Sequence, residues 1–427
     1  MRNTSKFVFL LLALSVVSQA QVGLRPPPPP SAKLIKAGRV LDVKSGKYLL
    51  EQSILTEGEK IKEIGPWAEA QAHAPKDAII IDLSQATLLP GLIDCHAHPL
   101  IAAELGRMDP KEIITTTVTH MSVPLRTLLG ACNAKEILDA GVTSARVLGH
   151  SGIEGDIALR DAINAGWVPG PRLQAAGRKI MAFGAVYLQP TVATQVLAQE
   201  FLMVNGPDQA NAAVRENNAN GADLIKISID SQPARGWKTL YMPLEDARAI
   251  TEEAHRLGMK VAAHAIDNTA VQLAIDAGVD SIEHAFSATD EQLKEMKDKG
   301  IFLVATEIYV NKSPKDRLQR AMKIGVKIAM GSDAWASVSG KTRGEASLFD
   351  LRKLQDEGMP NIDIIRSSTI IAAELMGWSD LVGELATGKF ADIIAVAGDP
   401  VQEIGLLQHV QFVMKGATVV RNDFAKN

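Results

Sequence analysis

The chain has 427 residues, 46% of them apolar and 4% aromatic, and its 45 basic and 49 acidic side chains give a net charge of −4. That length admits two or three ordinary domains or one barrel with an appendage, and the apolar share suits a large α/β core rather than a disordered chain. Without a basic field, nucleic acid is excluded as an expected partner and a small molecule is the natural one.

Residues 1–20 read as a signal peptide. Arg2 and Lys6 precede the apolar run Phe7–Val17, and Ser18, Gln19 and Ala20 place small residues where a signal peptidase cuts. Cleavage after Ala20 and export to the periplasm are expected. The run is too short for a comfortable membrane span, so none is expected after cleavage; a retained N-terminal anchor is the alternative. Losing Arg2 and Lys6 leaves 43 basic against 49 acidic side chains, a charge of −6. Residues 21–33 form a linker in which Pro26–Pro30 favour an extended polyproline spacer.

Residues 34–88 read as short strands and turns: Leu34–Leu41, Tyr48–Thr56, Lys60–Ile64 and Ile79–Asp82. Residues 379–427 return to that texture in Ala391–Ala397, Val410–Lys415 and Thr418–Arg421. Neither piece is long enough to bury a core alone, so both termini are expected to build one small β-sandwich.

Between them, residues 89–378 alternate strand-like and helix-like stretches. Strands are expected near 90–96, 142–148, 172–176, 223–228, 260–264, 280–284, 301–305 and 326–332. Helical patterns include Pro243–Leu257, Thr269–Ala277, Asp290–Lys299 and Asn361–Met376. Eight such repeats predict an α/β TIM barrel, a (β/α)8 fold whose strand C-termini converge on one mouth. Pro207 and Asp208 read as a helix start with Asp208 capping.

Six residues that can hold metal end these strands. His96 and His98 lie two apart after Leu92 and Ile93, so both imidazoles face one cavity. His264 and His284 each end an apolar strand with an imidazole, and Asp333 ends one with a carboxylate. Singly, each reads as a hydrogen-bonded core histidine or a helix cap. Lys226 is different, because an ammonium offers no lone pair. It can serve only if CO2 converts its amine to a carbamate; otherwise it pairs with Asp223 or Asp230.

The motifs Pro90-Gly-Leu-Ile-Asp-Cys-His-Ala-His98, Gly141-Val-Thr-Ser-Ala-Arg146, Gly221-Ala-Asp-Leu-Ile-Lys226, Ala263-His264, Ala277-Gly-Val-Asp-Ser-Ile-Glu-His284 and Gly331-Ser-Asp333 run together along the chain. This combination resembles the amidohydrolase superfamily, in its imidazolonepropionase-like branch with metal-dependent Xaa-Pro dipeptidases. Within the branch it looks close to bacterial amidohydrolases that cleave the amide of ochratoxin A. The resemblance implies two divalent metal ions, most often zinc. His96, His98 and Asp333 would hold one, His264 and His284 the other, and N-carboxylated Lys226 would bridge them. It further implies a homo-oligomer, an octamer being one assembly it admits.

Asp333 is then the catalytic residue expected to take a proton from the attacking water and deliver it to the departing nitrogen. The expected reaction is hydrolysis of an amide or peptide C–N bond, releasing an amino acid from an acyl or aryl amide. The alternatives are an Xaa-Pro dipeptidase, a cyclic amidase or, in another class, an inactive periplasmic binding protein on the same barrel.

One departure bears on substrate. Branch members often carry Gly-Gly-His-Gly after the third strand, whereas this chain has Gly184, Ala185, Val186 and Tyr187. The pocket is therefore expected to be more apolar, with Tyr187 a substitute donor or a packing aromatic. His150 can touch substrate or make a structural hydrogen bond. Arg178, Arg235, Lys238 and Tyr241 qualify by position to recognise a substrate carboxylate. The long segments 100–122, 181–207 and 228–242 are expected to shape the pocket. His73, His120, His255 and His409 read as non-catalytic. Cys95 and Cys132 fall on different elements and are expected to be separate core thiols.

Overall fold

The computed structural model describes residues 31–101, 110–185, 192–231, 239–307, 316–335 and 340–426. The expected signal peptide, Tyr187, Arg235 and Lys238 lie outside the described residues.

Strands from both ends of the chain form one eight-stranded sheet. Lys33–Asp42 pairs in parallel with Ile79–Pro90, and Ile393–Val396 adds antiparallel to the far edge of that long strand. Apolar residues such as Ile35, Ile54, Leu88 and Phe412 fill its core. The strand Ile79–Pro90 continues through Gly91 into the first barrel strand, so the sheet holds the barrel by the strand that carries the first two histidines.

The barrel strands are Leu92–Ala97, Val142–Val147, Arg172–Ala175 continued by Lys179–Ala182, Leu224–Ser228, Lys260–Ala265, Ser281–His284, Phe302–Ala305 and Ile328–Met330. All neighbouring pairs are parallel. A parallel bridge between Ala97 and Ala334 and the 2.7 Å bond from Asp333 N–H to the His96 carbonyl close the ring. Nearly every strand residue is buried, as expected of a parallel sheet covered by helices.

Four local expectations need correction. The third strand breaks at Gly177, whose φ is +66°, and restarts at Lys179 beside an additional strand, Phe201–Val204. The helix expected over Asn361–Met376 is two helices, Asn361–Ser367 and Ile370–Met376. Ser368 and Thr369 return their hydroxyls to the carbonyls of Ile364 and Ile365, while the Ser368 carbonyl accepts from Ile93 N–H at 2.8 Å. Side-chain bonds of this kind compete with the helical ladder, and here the first barrel strand takes the carbonyl. At the helix Pro207–Ala219 the cap position is Gly206, and Asp208 makes no capping bond. Cys95 is buried but Cys132 is exposed, so the second thiol is not in the core. No helix among the described residues is long and apolar enough to cross a membrane.

Candidate active site

The barrel mouth holds a cavity of about 310 Å³ lined by His96, His98, His150, Lys226, His264, His284 and Asp333. The strand ends thus bring together all six expected metal-ligating residues. Asp333 Oδ1 lies 3.1 Å from His98 Nε2 and 3.4 Å from His96 Nε2, and these three residues form a compact cluster. The His96 ring centroid is 5.3 Å from that of His284, which is 4.6 Å from that of His264.

The rings are held from behind. His96 Nδ1 meets Glu283 Oε2 at 2.8 Å, His98 Nδ1 meets the Gly149 carbonyl at 3.0 Å, and His284 Nδ1 meets Thr306 Oγ1 at 2.7 Å. Each contact fixes one ring nitrogen and leaves the other toward the cavity, the arrangement that orients a metal ligand. Asp230 Oδ1 stands 3.7 Å from His264 Nε2.

The approach of the last strand to the first depends on Gly331. A Cβ there would lie 2.5 Å from Val304 Cγ1 and 2.8 Å from His96 Cβ. Ser332 then donates to Asp94 from its backbone N–H at 2.9 Å and from its hydroxyl at 2.6 Å, which sets Asp333 over the histidines. Asp333, His284 and His150 have φ of +48°, +74° and +55°. Such left-handed non-glycine residues cost about 1–3 kcal/mol each and gather where function fixes the backbone.

Burial sets the protonation states. It drives His96 and His264 well below the usual imidazole range and His284 down to about 4, so all three rings are in the neutral, ligating form. Burial alone would push Asp333 up, but the adjacent His96, His98 and His284 side chains more than offset it and hold the carboxyl well below its ordinary range. Lys226 is lowered to about 8, mainly by burial. Its Nζ is buried without a hydrogen-bond partner among the described residues, and neither Asp223 nor Asp230 pairs with it. An amine so placed suits conversion to an oxygen-bearing ligand. The donor set of four imidazoles, one carboxylate and this amine therefore fits divalent cations.

The substrate candidates divide. His150 lines the cavity, and its ring lies 5.4 Å from that of His98. Arg178 does not line it: the guanidinium turns outward to the Ala198 carbonyl and to Glu216. Tyr241 is one step removed, donating at 2.7 Å to Asp267, which does line the cavity. Two important residues were missed by sequence reasoning. Lys179, one position after Arg178, faces the cavity, and Glu283, inside a motif already singled out, orients His96.

A parallel barrel with a small sheet from both termini and a cluster of imidazoles, carboxylate and lysine at its mouth defines a barrel hydrolase. The chain belongs to the amidohydrolase family, whose pattern matches residues 87–421. It is 28% identical over 383 residues to ochratoxinase of Aspergillus niger, covering 78% of this chain and 75% of that protein. A solved Xaa-Pro dipeptidase with methionine in its active site is 29% identical, with a TM-score of 0.76 over 91% of this chain and 99% of that one. The A. niger ochratoxinase structure, at 24% identity, shares the fold with a TM-score of 0.79, covering 92% of this chain and 96% of that one. The chain is accordingly a hydrolase acting on C–N bonds. Its family generally uses divalent metal ions, and the His96, His98 and Asp333 cluster agrees with that use.

Proposed function

We propose that this protein is an exported hydrolase that releases an amino acid from an acyl or aryl amide, working with two divalent cations, zinc first among them. His96, His98 and Asp333 would hold one cation, His264 and His284 the other, and carboxylated Lys226 would bridge them. The buried Lys226 Nζ, with no hydrogen-bond partner among the described residues and sharing one cavity with His96, His98, His264 and His284, carries this reading. Bound cations would supply an acidified water and polarise the scissile carbonyl. Asp333 would accept the proton of the attacking water and pass it to the leaving nitrogen, which its low proton affinity permits only once that nitrogen has become basic.

Similarity to ochratoxinase supports an aryl amide of an amino acid, including ochratoxin A, as substrate, and similarity to an Xaa-Pro dipeptidase supports a dipeptide as the second reading. The test is a panel of ochratoxin A, N-benzoyl amino acids, Xaa-Pro dipeptides and cyclic amides, assayed with zinc-replete protein. Preferential cleavage of the acyl and aryl amides is expected. Dipeptides as the better substrates would favour the second reading, and hydrolysis of no amide at all would leave a binding protein. For export, the intact mass of secreted protein is expected to match a chain beginning at Gln21.

A further inference from the structure

Arg178 and Lys179 sit where the third barrel strand restarts, and their side chains part. Arg178 leaves toward Glu216 on the helix Pro207–Ala219. Lys179 is 2% exposed and enters the cavity that holds the candidate metal ligands. Its Nζ lies 3.4 Å from His150 Nε2 and 5.5 Å from the centre of the Phe201 ring. His150 is itself anchored, since Arg126 donates to its carbonyl and to both oxygens of Glu200. The lysine head is thus steered by a ring nitrogen and an aromatic face toward the space in front of His98.

We propose that Lys179 is the specificity-determining residue that binds the free carboxylate of the amino acid on the leaving-group side of the scissile amide. This rests on the amide-hydrolase reading above and names the substrate feature that the site selects. In an acylated amino acid the carboxylate carbon is three bonds from the scissile carbonyl carbon. A substrate whose carbonyl lies against the His98 and Asp333 side therefore brings its carboxylate within reach of a cation one ring away. Ile114, Leu148, Ile266 and Trp335, which line the cavity together with the polar Asp230, Thr239 and Asp267, suit an apolar acyl or side-chain group. Beside that wall the Lys179 amine offers a cationic partner that a carboxylate can pair with and a neutral amide cannot.

The experiment compares N-benzoylphenylalanine with N-benzoylphenylalaninamide, followed by release of benzoic acid from zinc-replete wild type, Lys179→Met and Lys179→Arg. Wild type is expected to favour the acid, and Lys179→Met to lose that preference through a KM for the acid raised roughly 30-fold or more, with kcat changing far less. Lys179→Arg should keep much of the preference. Equal losses on both substrates, or an acid preference that survives in Lys179→Met, would overturn the assignment while leaving the amide-hydrolase reading intact. Cleavage of neither substrate by wild type would overturn both. Should Lys179→Met fail to fold, competitive inhibition of the wild type decides. Phenylalanine is expected to inhibit far more tightly than phenylalaninamide, and equal inhibition would end the proposal.

Discussion

Glu283 and His96 face each other at 2.8 Å, both buried, although 187 positions separate them in the chain. The same carboxylate accepts from Arg146 at 2.9 Å and from Ser281 Oγ at 2.7 Å. One acid on the sixth strand therefore orients a candidate ligand of the first and neutralises an arginine of the second. The next residue, His284, lines the cavity, so one short strand supplies both a candidate ligand and the support of another candidate.

Glu283→Gln is expected to weaken metal binding by about ten- to a hundred-fold, because a single amide oxygen cannot serve His96, Arg146 and Ser281 together and the hold on the His96 ring is loosened. It should also lower the melting temperature, since buried Arg146 loses its counter-charge. Zinc titration of the metal-free variant reads the first effect and calorimetry the second; wild-type zinc affinity would show that the pair serves the fold alone.

Asp333→Asn would remove the proposed proton acceptor while keeping the shape of the side chain. We expect kcat to fall roughly a hundred- to ten-thousand-fold with little change in melting temperature. Turnover within a few-fold of wild type would rule Asp333 out as the proton carrier.

The convergence of the candidate ligands was legible in the sequence because apolar barrel strands end at one mouth, and His96, His98, Lys226, His264, His284 and Asp333 all line the cavity there. Lys179 was not legible. The break at Gly177 resets the alternation of inward and outward side chains, so Arg178 drew the expectation that its neighbour fulfils. The division of the helix at Ser368 was hidden for a related reason. It turns on a Ser368 carbonyl that accepts from the N–H of distant Ile93, and a local pattern carries no trace of such a contact.

Under the proposed reading, carboxylation of Lys226 would tie metal loading to carbon dioxide and pH. Carbamate formation needs the neutral amine, whose share rises as pH climbs through about 8 and falls below it as the ammonium forms. Reactivation of metal-free protein by zinc should therefore quicken from pH 6.5 to 8.5 in bicarbonate and lag in CO2-stripped buffer. Lys226→Met should show no bicarbonate dependence. Identical reactivation of wild type with and without bicarbonate would dismiss the carbamate.

Gly331→Ala tests whether the close approach of the last strand to the first is required. The added methyl meets Val304 on one side and His96 Cβ on the other, and neither is the tip of a long flexible chain. Relief must come from moving the strand that carries Asp333 or the one that carries His96. Overpacking of this kind costs about 1–3 kcal/mol. The larger effect is expected on activity, because the same shift separates Asp333 from the His96 and His98 nitrogens. A variant with wild-type kcat and melting temperature would mean that the barrel seam absorbs the methyl elsewhere and that Gly331 does not set the site.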